Sequence, residues 1–251
     1  MKTSRQQELI REHRPENIAR RLQRPPRGER ISDLVLGAID GCITTFAIVS
    51  GAFGAGFSPL VVLVMGVANL LADGVSMAVS NFEAVNAQQR FAEHARRTEE
   101  QHIRMVPEGE REEIRQIFAN KGFSGEHLEH IVDTVTADRA LWINTMLSEE
   151  YGLSPVAPNP LASAWWTFVA FVLVGLVPLL PFFFGGGNFS QKFAISTGLA
   201  GLVFFFIGVL KGWVFRGSLL RAGLGTFLLG SCAAGIAFAV GYTLQRVVGV
   251  A

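Results

Sequence analysis

The chain has 251 residues, 49% of them hydrophobic and only 17% charged. Soluble domains carry about 25% charged residues, so this composition, read with the long apolar runs below, excludes an ordinary soluble globule and points to a polytopic all-α membrane protein. The formal net charge of +1 decides little because the charges are segregated along the chain, and the two cysteines, Cys42 and Cys232, lie in apolar segments and give no disulfide framework.

Residues 1–30 hold Lys2, Arg5, Arg11, Arg14, Arg20, Arg21, Arg24, Arg27 and Arg30 with no apolar core of their own, so they are not a cleavable signal peptide. They read as a basic cytoplasmic tail, either in contact with anionic lipid or as a solvated, disordered arm.

Ser32 to Phe57 forms a first span in which Asp33, Gly37, Asp40, Thr44, Ala47 and Gly51 recur at three- and four-residue steps, a small and polar seam on an apolar helix. After the short turn GAGFSP comes Pro59 to Asn81, PLVVLVMGVANLLADGVSMAVSN, long enough to cross a hydrocarbon core of about 30 Å. Asn69, Asp73 and Met77 follow one another at steps of four and share one face, with Ser76 and Ser80 beside them. A carboxylate at that depth costs at least about 2.5 kcal/mol on insertion scales and must face protein, water or an ion. No Lys or Arg occurs from Ile31 to Asn81. A cation pathway using Asp40 and Asp73 is therefore favoured over a structural ion pair, whereas Asp33 stays open because a tail arginine could reach it.

From Phe82 to Pro160 the chain is charged and reads as three amphipathic helices. The first continues from the second span to about Met105. Pro107 opens the second, which ends at Lys121 with Gly122 as a left-handed cap, and Ser124 caps a third that runs to Gly152. Ile114, Ile117, Phe118, Leu128, Ile131, Val135, Leu141 and Trp142 supply the apolar faces. Glu99 and His102, Glu110 and Glu113, and Met146 and Glu150 form one pair per helix at steps of three or four. Glutamate pairs at such spacing usually mark a solvated face, and a lone methionine is more often core than ligand. If the three pairs converge, carboxylates with one imidazole and one thioether suit a borderline divalent transition ion rather than Mg²⁺ or Ca²⁺.

Leu161 to Phe184, Phe193 to Leu210 and Leu220 to Leu244 are three further spans, with Pro178 and Pro181 placed to kink or end the third of the five. Gly37 with Gly41, Gly208 with Gly212, and Gly225, Gly230 and Gly235 read as close-packing positions. The loop around Lys211, Arg216 and Arg221 is basic, GAGFSP is uncharged and GGGNFSQK carries only Lys192. The positive-inside bias then places the amino terminus and the insert in the cytoplasm and the carboxyl end outside. The expected division is a basic tail over 1–30, transmembrane helices 1–2 over 31–81, a cytoplasmic metal-binding helical domain over 82–160 and transmembrane helices 3–5 over 161–251.

The run DGCITTFAIVSGAFGAG, then ANLLADGVSMAVSNF, then a Glu-rich insert ending in MLSEEYGL, resembles the vacuolar iron transporter family and its bacterial members from Ile31 onward. The resemblance implies five transmembrane helices per protomer, a three-helix cytoplasmic insert between the second and third, and a homodimer with the pathway between its copies. It implies export of Fe²⁺ from the cytoplasm, with Mn²⁺ as a second substrate, in exchange for protons. The family's pathway acid and methionine match Asp40 and Met77. The second-span acid of eukaryotic members falls at Asn69, with Asp73 one turn on to replace its charge. The insert ligands match Glu99, Glu110, Glu113, Glu150 and Met146, while one family glutamate falls at His102 and a second methionine position at Leu147.

The membrane implied is the inner membrane of a bacterium or the vacuolar membrane of a eukaryote. The expected partners are lipid, the transported metal, protons and a second copy, with no nucleic acid and no prosthetic group. Two other readings compete. One is a metal-gated cation channel, which shares the same seam. The other is a membrane ferroxidase, suggested by Glu99-x-x-His102. A ferritin-like diiron site needs a second Glu-x-x-His, and Glu126, His127, Glu129 and His130 supply only Glu-x-x-Glu and His-x-x-His. No phosphate-binding loop of the G-x-x-x-x-G-K-S type occurs, which argues against direct ATP drive, and no nucleophile-and-base set stands out.

An imidazole in place of a carboxylate removes one negative charge and adds a group that ordinarily titrates near pH 6.5. Metal binding by the insert is expected to weaken more steeply as pH falls through about 6.5 than in a His102→Glu variant. Titrations of both proteins across that range check this, and superimposable pH profiles would refute it.

Overall fold

The computed structural model describes residues 4–22, 28–154, 158–184, 186–214 and 217–249. Lys2, Arg24, Arg27 and Arg216, counted above among the basic residues, lie outside them. The fold is all-helical. Two short helices, α1 (Ser4–Glu12) and α2 (Pro15–Leu22), replace the disordered arm that was one reading of the tail, and the tail's described side chains are largely exposed.

Among the described residues five helices are long and apolar enough to cross a membrane: α3 (Gly28–Gly54, its apolar part from Ile31), α4 (Pro59–Met105), a broken span from Pro160 to Phe183, α10 (Phe189–Val214) and α11 (Leu219–Val248). The broken span consists of α8 (Pro160–Gly175), a 3₁₀ turn over Val177–Leu179 and α9 (Leu180–Phe183), so Pro178 and Pro181 interrupt it as expected. Proline at the first position and a side-chain cap start both α4 and α8. Ser58 Oγ accepts from Val61 N at 3.4 Å, and Asn159 Oδ1 accepts from Ala162 N at 3.1 Å.

Helix α3 is the hub. It packs parallel to α8 and α11 and antiparallel to α10, and the glycine seam sets these distances. A Cβ on Gly37 would fall 2.2 Å from Thr167 O, on Gly41 2.3 Å from Phe171 O, and on Gly241 of α11 2.1 Å from Gly51 O. Those obstacles are backbone and cannot rotate away. Phe46, Phe53, Phe193 and Phe204 fill the space between α3 and α10, with Phe53 stacked on Phe193 at a ring separation of 3.9 Å. Gly208, Gly212 and Gly230 also sit against neighbouring helices, but Gly225 and Gly235 have nothing within 4 Å of an added Cβ, so the close-packing reading does not hold for them inside one protomer.

The insert departs from the expected three helices. After the carboxyl half of α4 come α5 (Pro107–Asn120), α6 (Gly125–Ala137) and α7 (Arg139–Glu149). The single helix expected from Ser124 to Gly152 is broken at Asp138. This residue takes an extended conformation (φ −107, ψ 109), and its carboxylate accepts from Ala140 N at 2.8 Å and Leu141 N at 3.2 Å, capping α7 afresh. Gly122 has φ +95 as a left-handed cap requires, whereas Ser124 makes no side-chain capping bond. Ile114, Leu128, Val132, Val135, Trp142 and Met146 form the insert core, with Ile117, Phe118 and Ile131 against it. Leu141 is instead 43% exposed, next to the buried Trp142.

Gly41→Ala is expected to lower the melting temperature in detergent by several degrees, since its Cβ meets backbone, whereas Gly225→Ala leaves it unchanged or slightly raised. Thermal unfolding of the two variants checks the contrast.

Candidate metal centre

Helix α4 is uninterrupted for 47 residues, about 70 Å, and carries Asn69, Asp73 and Met77 in its membrane half and Glu99 and His102 in the insert half. Around the latter pair the insert gathers acid. Glu99 and Glu110 are 1% and 4% exposed, and each keeps a buried Oε2 with no hydrogen-bond partner. Tyr151 donates its hydroxyl to Glu99 Oε1 at 3.0 Å, and His102 Nδ1 lies 3.2 Å from Glu110 Oε1. Glu113 and Glu150 are more exposed but near enough to act on Glu110 electrostatically.

Five of the insert's cations pair with acids outside this cluster. Arg111 pairs with Asp133, Arg115 with Glu112 and Glu129, Lys121 with Glu149, Arg96 with Glu100 and Arg97 with Glu93. Among the described residues His102 alone stands at ion-pair distance from the acidic cluster. Burial, then repulsion from Glu99, Glu113 and Glu150, pushes the Glu110 carboxyl up to about 8. Burial and the charges of Glu99 and Glu113 also raise Glu150, and burial with the hydrogen bond to Glu99 pushes the Tyr151 phenol up to about 12. Buried carboxylates without cations are costly, and a bound cation would offset that cost. Among the described residues no three His, Cys, Asp or Glu groups are drawn in tightly enough to hold a metal as they stand. Met146 is fully buried in the insert core, one turn before Glu150.

In the membrane half, Asn69 Nδ2 reaches Asp73 Oδ2 at 3.5 Å, and Asp73 lies close enough to Asp40 of α3 for the two charges to repel. Asp40 and Met77 line one cavity of about 460 Å³, and the other charged group on its wall is Lys211 of α10. Asp33, left open by the sequence, is held by a neutral donor. Asn81 Nδ2 donates to Asp33 Oδ1 at 2.9 Å and to Thr167 Oγ1 at 2.7 Å, tying α3, α4 and α8 together. Sequence reasoning missed Asn81 and Lys211 as partners and Tyr151 as a site residue, although Tyr151 directly follows Glu150.

Five membrane-spanning helices, a carboxylate seam between two of them and a helical insert rich in buried acid define a multi-pass integral membrane protein of the kind that handles metal cations. Residues 31–242 match the VIT family, and the chain belongs to that family. It is 32% identical over 228 residues to the vacuolar iron transporter of Toxoplasma gondii, covering 87% of this chain and 76% of that protein. It is 30% identical over 221 residues to vacuolar iron transporter 1 of Eucalyptus grandis, covering 87% and 88%. With vacuolar iron transporter 1 of Arabidopsis thaliana it shares 28% identity over 220 residues, 87% and 88% of the two chains.

Near pH 7 the raised Glu110 keeps its proton, so a metal must expel it on binding. Titrations of Mn²⁺ near pH 7 in buffers of differing ionisation heat are expected to show proton release that Glu110→Gln diminishes, with affinity rising as pH climbs through about 8. Equal release by both proteins would refute the assignment.

Proposed function

We propose that the chain carries Fe²⁺ out of the cytoplasm, with Mn²⁺ as a second substrate, in exchange for protons. The observation that supports this most is helix α4, one rigid element bearing both the acidic cluster of the insert and the polar stripe of the membrane. The iron in the relatives' names gives the cargo, and carboxylates beside a thioether suit Fe²⁺ better than Mg²⁺. The insert, residues 82–160, captures the ion on Glu99, His102, Glu110, Glu113 and Glu150, with Met146 behind them. The ion passes along α4 to Met77, Asp73 and Asn69, and Asp40 completes the intramembrane site. Protonation of Asp40 or Asp73 from the far side removes the attraction for the cation and releases it, which makes exchange physically direct.

A homodimer fits the same geometry. In one copy Asn69, Asp73 and Met77 are only half-buried, and the α4 face beside them exposes Leu71, Val75 and Val79. A carboxylate there cannot face lipid, and a second copy across α4 would cover it. The basic tail and the loop around Lys211 and Arg221 orient the amino terminus and the insert to the cytoplasm, in a bacterial inner membrane or a vacuolar one.

Asp40→Asn is expected to fold and to abolish flux. Uptake of Fe²⁺ and Mn²⁺ into proteoliposomes with and without an imposed pH gradient checks it: gradient-driven uptake lost in the variant supports the exchanger, gradient-independent flux means a channel, and Fe²⁺-dependent oxygen consumption without flux means an oxidase.

A further inference from the structure

We propose that Lys211 is the charge filter of this pathway, a tethered ammonium sharing one cavity with Asp40 that a divalent cation displaces and a monovalent cation does not. The inference rests on the transport reading above and adds how that same site chooses its ion. A lysine in the last turn of a helix ordinarily complements the negative end of the helix and extends into water. Lys211 does more than this. It lines the cavity whose other charged wall residue is Asp40 and which also exposes Met77. It is half-buried, and among the described residues no carboxylate stands at ion-pair distance from it.

The cavity has a defined place in the fold. Its walls include Ile31 and Ser32 at the start of α3, Met77 on the part of α4 that leads to the insert, and Val214 at the end of α10, so it lies at the end of the bundle from which the insert emerges. The backbone that carries Lys211 is fixed. A Cβ on Gly208 would fall 2.3 Å from Ala222 O and one on Gly212 3.1 Å from Leu219 Cα, and Gly217 N donates to Gly212 O at 2.8 Å. The lysine stem can therefore swing while its root stays in place.

Attraction to a carboxylate scales with the charge of the ion. A potassium ion would gain no more at Asp40 than an ammonium gains, and the ammonium is tethered within the cavity, so it competes intramolecularly instead of from bulk solution. A divalent transition ion gains twice the Coulomb attraction and adds a bond to the Met77 thioether that neither ammonium nor potassium can form. Only such an ion displaces the lysine, which swings back into the shared cavity when the ion has passed.

The test is uptake of Co²⁺ and Rb⁺ by the full chain in proteoliposomes. Wild type and Lys211→Arg are expected to exclude Rb⁺, whereas Lys211→Gln, and Lys211→Met which keeps an unbranched stem, admit it, so that the Co²⁺ to Rb⁺ ratio falls at least about tenfold. An unchanged ratio in both neutral variants overturns the proposal. The same full-length proteins in detergent, with the insert site disabled by Glu99→Gln and Glu150→Gln, give a readout without flux. There K⁺ at about 150 mM should weaken Co²⁺ binding by Lys211→Gln far more than by the parent, beyond the screening both share. Equal sensitivity to K⁺ overturns the filter. A wild-type chain that takes up no Co²⁺ yet shows the difference in K⁺ sensitivity overturns the transport reading and leaves the filter standing.

Discussion

A carboxylate taken out of water needs a donor, a proton or a positive charge, and the organisation of this chain follows from how each of its buried acids obtains one. Asp33 takes a donor, the amide of Asn81, and becomes a knot between α3, α4 and α8. Glu110 takes a proton, because it is buried and Glu99, Glu113 and Glu150 crowd it, while Arg111 and Arg115 are spent on Asp133, Glu112 and Glu129. Among the described residues no donor is seen at the Asp40 carboxylate, which shares a cavity with Lys211. The sites left unsatisfied by their own surroundings are those an incoming cation can satisfy.

Rigidity is distributed to match. Helix α3 is locked by glycine contacts to backbone on α8 and α11, and its aromatic face stacks on α10. Helix α4 contacts the bundle mainly through Gly66, Leu70, Gly74 and Asn81, while Leu60, Val64, Leu71, Val75 and Val79 stay uncovered in one copy. The element that carries both sets of acidic groups is thus held along one side only. Straightness over about 70 Å then comes from its unbroken backbone hydrogen bonds rather than from enclosure.

Spans, their proline interruption and the run of α4 into the insert were legible in the sequence because hydropathy and the absence of breakers are local properties. The break at Asp138 was not. TVTADRALW carries no glycine or proline, and only the extended backbone at Asp138 turns an interior helix residue into a cap. The glycine pattern predicted contact correctly where a partner helix lies opposite, as at Gly37 and Gly41, and failed at Gly225 and Gly235, since spacing says which residues share a face but not what faces them. Lys211 and Tyr151 were invisible for the same reason, as each is joined to its partners only by folding over a long separation in the chain.

Met146 shows how one residue type can serve core and site at once. Its side chain is fully buried with Ile114, which stands one turn after Glu110, and it precedes Glu150 by one turn on α7. The thioether therefore belongs to the apolar floor on which the carboxylates rest. An unbranched, polarizable side chain fills such a place without fixing its shape, so inward movement of the acids onto a cation can be followed by a change of rotamer rather than by a cavity. A leucine there would pack the floor equally well and offer the ion nothing, and a fifth glutamate facing the core would leave a further buried carboxylate to satisfy.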